Sequence, residues 1–244
     1  RPATNAISPE LIRDIGRSII SVEERQIAGA SGLASKARLK AAGIASALRS
    51  EGIVVPSERS SLDDAAAMPG SGGPFVPVPE DADFDRSFAD LDLALDELQD
   101  LSDAAASLPL GAPLADAPVS STFGVRADPF LGRSALHTGI DFVAETGTRV
   151  TVATAGTVVA AGTNGGYGIM VEVDHGGGVV TRYAHLSGVF IAVGDRLGAG
   201  DAVGMVGSTG RSTGPHLHYE IRRDGDAVDP ARFLRAGQKI RALL

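Results

Sequence analysis

The 244 residues carry 22 Lys and Arg against 30 Asp and Glu, a net charge of −8, with 43% hydrophobic and 21% charged residues. That balance permits a buried core and excludes global disorder. With no cysteine, disulfide scaffolds, Cys-ligated zinc, iron–sulfur clusters and thiol nucleophiles are all excluded. The charge is uneven: residues 1–50 carry +4, residues 51–116 carry −13 and residues 117–244 carry +1. The C-terminal half therefore lacks the basic surplus of a nucleic-acid footprint, and the acidic middle reads as a solvated surface. No apolar run approaches a membrane span, and a chain starting at Arg1 leaves room for an upstream signal or anchor.

Ser8-Pro9-Glu10 opens the first element, with Ser as N-cap, Pro at the first helical position and an acid in the first turn. Ile12, Ile15, Ile19 and Val22 follow at alternating spacings of three and four, a stripe suited to helix packing. Gly29, Gly32 and Gly43 weaken the pattern, but the composition stays helical to Leu48. Residues 54–82 are rich in Pro, Gly and Ser without a period, as in a linker. A second helix, over 84–107, carries a seam of Phe84, Phe88, Leu91, Leu95 and Leu98. One helix of that length is marginal in water, so the seam needs a partner. The Ile12–Val22 stripe is the expected one, with a homodimer through the same seam as the other arrangement. Residues 1–110 are thus expected to be a helical arm and 111–244 a separate unit.

From Pro118 the texture changes to short β-rich runs between glycine turns. Strands are expected over 148–154, 156–161, 169–174, 179–185, 204–207 and 216–222, with a helix over 230–244. The fold class is a mainly antiparallel β domain preceded by an α-helical, coiled-coil-like region.

All five histidines lie in that half, as His137, His175, His185, His216 and His218. In a strand, residues i and i+2 share a face, which groups His216, His218 and Glu220 opposite Leu217, Tyr219 and Ile221. His137 and Asp141 are four apart, but Gly139 and the β-rich Ile140–Phe142 argue for a loop entering a strand. Two imidazoles and a carboxylate with an open fourth position suit catalytic zinc, which activates water and polarises carbonyls. Two further histidines off the metal would transfer protons and stabilise an oxyanion. Spacing alone does not decide which of His216 and His218 binds the ion. His175, in an Asp-His-Gly-Gly-Gly turn, reads as a surface or hydrogen-bonded residue.

Several strings occur together, in order, between about 119 and 234. They include Ser121-Thr-Phe-Gly-Val-Arg126, Ala135-Leu-His-Thr-Gly-Ile-Asp141, Gly165-Gly-Tyr-Gly168 and Thr181-Arg-Tyr-Ala-His-Leu186. The last is Gly207-Ser-Thr-Gly-Arg-Ser-Thr-Gly-Pro-His-Leu-His-Tyr-Glu220. This half of the chain resembles the lysostaphin-type, LytM-like zinc metallopeptidases of peptidoglycan. The resemblance implies one zinc ion on His137, Asp141 and His218, with His185 and His216 as the catalytic pair. It further implies a groove along the metal, and hydrolysis of cross-bridge or stem-peptide bonds in the bacterial cell wall. The implied location is the cell envelope, periplasmic or extracytoplasmic, with any membrane anchor outside this chain. An envelope or division protein is the partner expected of the arm. Some relatives have lost metal ligands and activate cell-wall amidases by contact alone; here all five positions are filled.

Overall fold

A computed structural model describes residues 8–54, 83–129 and 131–243. The expected linker over 54–82 lies, apart from Val54, outside the described residues. Among the described residues there are three α-helices: α1 (Pro9–Ser50), α2 (Asp83–Ala106) and α3 (Pro230–Arg241). No helix among the described residues is long and apolar enough to cross a membrane. Between α2 and α3 lie β1 (Val119–Ser121), β2 (Gly124–Ala127), β3 (Ser134–His137), β4 (Ile140–Val143), β5 (Arg149–Thr151) and β6 (Gly156–Thr163). These continue as β7 (Ile169–Asp174), β8 (Val179–Leu186), β9 (Gly188–Val189), β10 (Arg196–Leu197), β11 (Ala202–Met205), β12 (His216–Arg223) and β13 (Asp226–Val228). By contact density, α1 up to residue 43 and α2 up to residue 102 form one unit, and the remaining described residues a second.

In the first unit, the Ser8 hydroxyl caps α1 by accepting from the Leu11 amide at 3.1 Å. The pairing with α2 differs from expectation. Ile12, Ile15, Ile19 and Val22 are each at least 44% exposed. The contact forms instead at Ala34, Ala37 and Ala94, with Leu91 and Leu98 packed against them. Arg38 closes it with a two-pronged ion pair to Asp90, at 2.6 and 2.9 Å. The reason is side-chain size. Ala30, Ala34, Ala37 and Ala41 are all buried, at spacings of four and three along α1. Alanines let a neighbouring backbone come close, whereas a β-branched stripe holds it off. Two of the glycines that weaken the pattern sit off this seam: a Cβ at Gly29 or Gly32 would meet nothing.

The second unit is built on an antiparallel sheet of order β1-β4-β12-β8-β7-β6-β10, with β13 also pairing β12. β5-β11-β9 make a smaller sheet and β2-β3 a hairpin. Strand 148–154 shortens to β5 and 204–207 shifts to β11; short β1, β2, β3, β9, β10 and β13 carry too few residues for a period to register. At the carboxyl end, the Asp229 side chain caps α3 by accepting from the Ala231 amide at 3.0 Å, and Pro230 opens the helix.

The core lies against the centre of the sheet, where Tyr183, Tyr219, Leu217, Ile221 and Val171 are fully buried. β12 separates apolar from polar residues as its period demands, yet the polar face is buried too, and Glu220 is inaccessible. The Tyr167 hydroxyl, from the turn before β7, donates to Glu220 at 2.9 Å on that covered face.

Candidate metal centre

Register sets the positions of the polar side chains. β12 pairs β4 with His218 opposite Asp141, and pairs β8 with His218 opposite Ala184. His137 ends β3, and the Thr138-Gly139 link turns the chain into β4. The link needs glycine: a Cβ at Gly139 would collide with the Tyr219 carbonyl and crowd the His218 ring. Gly139→Ala is therefore expected to push β12 from β4 and weaken metal binding by at least about tenfold, read by metal titration, since packing tolerates little overlap.

Three side chains converge. His137 Nε2 lies 3.1 Å from Asp141 Oδ1 and 3.2 Å from His218 Nδ1, and His218 Nδ1 lies 2.8 Å from Asp141 Oδ1. All three residues are buried, and they form a group able to hold a metal ion. Their outer atoms are engaged elsewhere. His137 Nδ1 donates to the Thr122 carbonyl at 2.8 Å, and His218 Nε2 donates to Glu220 Oε1 at 3.0 Å. Each neutral imidazole thereby turns a bare lone pair inward. Two nitrogen lone pairs and a carboxylate repel at such distances unless a cation joins them. Tetrahedral ligands about 2.1 Å from zinc lie about 3.4 Å apart, close to these separations. The donor set fits zinc.

Electrostatics agrees. Burial alone would raise the Asp141 carboxyl, but the His137 and His218 rings against it outweigh that and hold it well below the carboxylate range. Burial opposes charge on His218 as well, yet the Asp141 and Glu220 carboxylates beside it raise its basicity. Positive charge is stabilised at this point of the fold. Behind it, Glu220 is held at about 2: burial works against this, and bonds from His218 and Thr138 with the Arg182 charge prevail. Arg222 also donates to Glu220, at 2.7 Å, and Arg182 stacks 4.3 Å from the Tyr167 ring centroid. Glu220→Gln keeps the shape and removes the charge that His218 leans on. Affinity for zinc should fall about 10- to 100-fold, measured by competition with a chelator of known strength.

His185 and His216 stand beside the cluster, their rings 4.8 Å apart. His185 Nδ1 donates to the Thr209 carbonyl at 2.8 Å, and His216 Nδ1 to the Gly214 carbonyl at 2.7 Å. Both therefore keep Nε2 free, and His216 Nε2 reaches within 3.8 Å of Asp141 Oδ1. Burial, with repulsion from His216 and His218, brings His185 down to about 4, against the pull of its Thr209 bond. Its backbone is left-handed, with φ 61°. All four rings border a cavity of about 280 Å³. His175 is elsewhere, bonded to the Ala155 carbonyl at 2.8 Å and Thr181 at 2.7 Å.

The partners that spacing does not reveal are the carbonyls of Thr122, Thr209 and Gly214, and Tyr167 behind Glu220. A backbone carbonyl leaves no mark in residue identity. Tyr167 sits in the Gly165-Gly-Tyr-Gly168 string, its only signal.

The profile of Peptidase family M23 matches residues 135–230. A DD-carboxypeptidase/endopeptidase of Neisseria meningitidis, Mpg, is 50% identical over 48% of this chain and 27% of its own length. The murein hydrolase activator EnvC of Escherichia coli is 38% identical over 39% of this chain and 23% of its own. The chain thus spans about a quarter of these curated relatives. The catalytic domain of the antimicrobial peptidase lysostaphin from Staphylococcus simulans is 32% identical over 49% of this chain and 93% of that domain, with a TM-score of 0.46. Residues 135–230, which hold these five polar residues, thus match the model of Peptidase family M23.

Proposed function

We propose that this protein is a zinc-dependent peptidoglycan endopeptidase. In this reading it hydrolyses a peptide bond between a D-amino acid and the next residue of a cross-linked stem peptide. The observation that carries the reading is the division of labour among four imidazoles. Two are tied by their outer nitrogens so as to face a shared carboxylate, and two are tied to carbonyls so as to face the cavity beside it.

His137, Asp141 and His218 would hold the ion, which supplies Lewis acidity to the scissile carbonyl and to water. His185 and His216 have fixed rings, so each can hold or move a proton at Nε2 without first reorienting. One takes the proton of the attacking water and passes it to the leaving nitrogen. The other, protonated at Nε2 as well, donates a hydrogen bond to the developing oxyanion. Tyr167 and Glu220 keep the His218 ring in place. The cell envelope, where the substrate lies, is the compartment this activity requires.

The test is digestion of purified sacculi by the zinc-loaded chain, with products separated by chromatography and mass. Uncross-linked muropeptides should appear, and should vanish when the metal is chelated. Cleaved glycan strands, or intact sacculi at full zinc content, would overturn the reading. The activator named among the relatives favours a second reading, in which the chain acts on an amidase by contact. It predicts no products from sacculi alone and amide cleavage only when an amidase is added.

A further inference from the structure

Arg126 belongs to a string shared with the resemblance, but none of the chemistry above uses it. β2 pairs β3 with Gly124 opposite His137 and Arg126 opposite Ala135. Because side chains alternate, Arg126 and His137 project from the same face of the hairpin. The other face carries Val125 and Leu136, both well exposed. Arg126 therefore points at the cluster. A terminal guanidinium nitrogen lies 3.6 Å from Asp141 Oδ2, beyond hydrogen-bond distance, and the Nε is buried without a partner. The neighbouring cation Arg211 is different, since Asp128 grips it at 2.7 and 2.8 Å. Arg126 borders both adjoining parts of the groove, and Asp141 and His216 line both with it.

A guanidinium one-third exposed, with no hydrogen bond at its terminal nitrogens among the described residues, beside a hydrolytic centre is a carboxylate receptor awaiting its ligand. The chemistry of bonds between two D-centres says where that carboxylate lies. In a terminal D-Ala-D-Ala, the carbon bearing the leaving nitrogen also bears a free carboxylate. The same is true of a cross-link in which the acceptor amine sits on a D-carbon of a diamino acid. In both, that carboxylate carbon lies about 3 to 4 Å from the scissile carbon by covalent geometry. A glycine bridge offers no such group.

We propose that Arg126 is a specificity-determining residue that binds the free carboxylate on the leaving side of the scissile bond. The assignment rests on the endopeptidase reading above and adds the feature by which the substrate is selected. One guanidinium then accounts for acceptance of both terminal and cross-linking bonds, and for rejection of bonds that lack the acid.

The experiment separates binding from turnover. The full zinc-loaded chain and its Arg126→Gln and Arg126→Lys variants, all carrying His216→Ala to stop turnover, are titrated calorimetrically with a stem pentapeptide ending in D-Ala-D-Ala and with its C-terminal carboxamide. Zinc content is measured on every sample. The parent chain should bind the acid about 10- to 100-fold more tightly than the amide, as one charge-assisted, two-pronged contact gives. In Arg126→Gln that preference should collapse to within about threefold, with unchanged affinity for the amide. Lysine should recover part of it, because it keeps the charge and loses the fork. Equal binding of acid and amide by the parent would overturn the proposal, whether or not sacculi are digested. So would equal losses on both peptides in Arg126→Gln, or loss of zinc, which would make Arg126 a support of Asp141. Digestion of sacculi reports separately on the endopeptidase reading.

Discussion

His137→Ala is expected to leave the chain folded, stripped of zinc, and at least about 10³-fold less active on sacculi. Removing this ring takes one of three inward lone pairs and leaves the Thr122 carbonyl without its donor. His218→Ala should do the same and, in addition, release Glu220 from a bond on its buried face. Asp141→Asn is the sharper test, since the amide keeps the volume and removes the negative charge on which His137 and His218 converge. Metal content by mass spectrometry and melting temperature, measured together, distinguish a lost ligand from a lost fold. Retention of full zinc by any of the three variants would contradict the ligand set.

The second large effect falls on the histidines placed beside the cluster. His216→Ala should lower turnover by about 10²- to 10⁴-fold, the usual worth of a positioned proton carrier, with zinc content unchanged. The ring is held at Nδ1 by Gly214 and lies 3.2 Å from Ser212, so its loss disturbs a loop but no metal donor. His185→Ala should fall in the same range and also keep its zinc. Loss of metal from either variant would move that residue into the ligand set. The double variant should be scarcely slower than the worse single one, because groups acting on one proton path are far from additive.

Much of this arrangement is legible in residue order, for definite reasons. Period two places His216, His218 and Glu220 on one face of β12, and the observed register keeps them there. Which of the two histidines ligates is not legible from period, since both face the same way. The third dimension tells them apart: His218 stands opposite Asp141 and within 2.8 Å of it, whereas His216 stands opposite Val143. Burial of Glu220 is hidden for a similar reason. An alternating strand normally turns its polar face to water; here Tyr167, Thr138 and Arg182, distant in the chain, join His218 and Arg222 of the same strand in satisfying it. In the helical region, the eye goes to isoleucines at coiled-coil spacing. The packing goes to alanines, which carry little hydrophobic weight but let backbones approach.

The left-handed backbone at His185 bears on what substitutions that position tolerates. A side chain with a Cβ is disfavoured there by about 1 to 2 kcal/mol, and glycine is not. Nearby, Gly207 has no room for a Cβ, which would meet the His185 carbonyl and the Ser187 amide, so the bend is fixed from both sides. Backbone preference and chemistry thus pull position 185 in opposite directions. His185→Gly should melt higher than His185→Ala, an inversion of the order expected within a regular strand. A library selected only for thermal resistance would tolerate glycine or asparagine at 185 and discard the imidazole. Selection for hydrolysis would restore it at some cost in melting temperature.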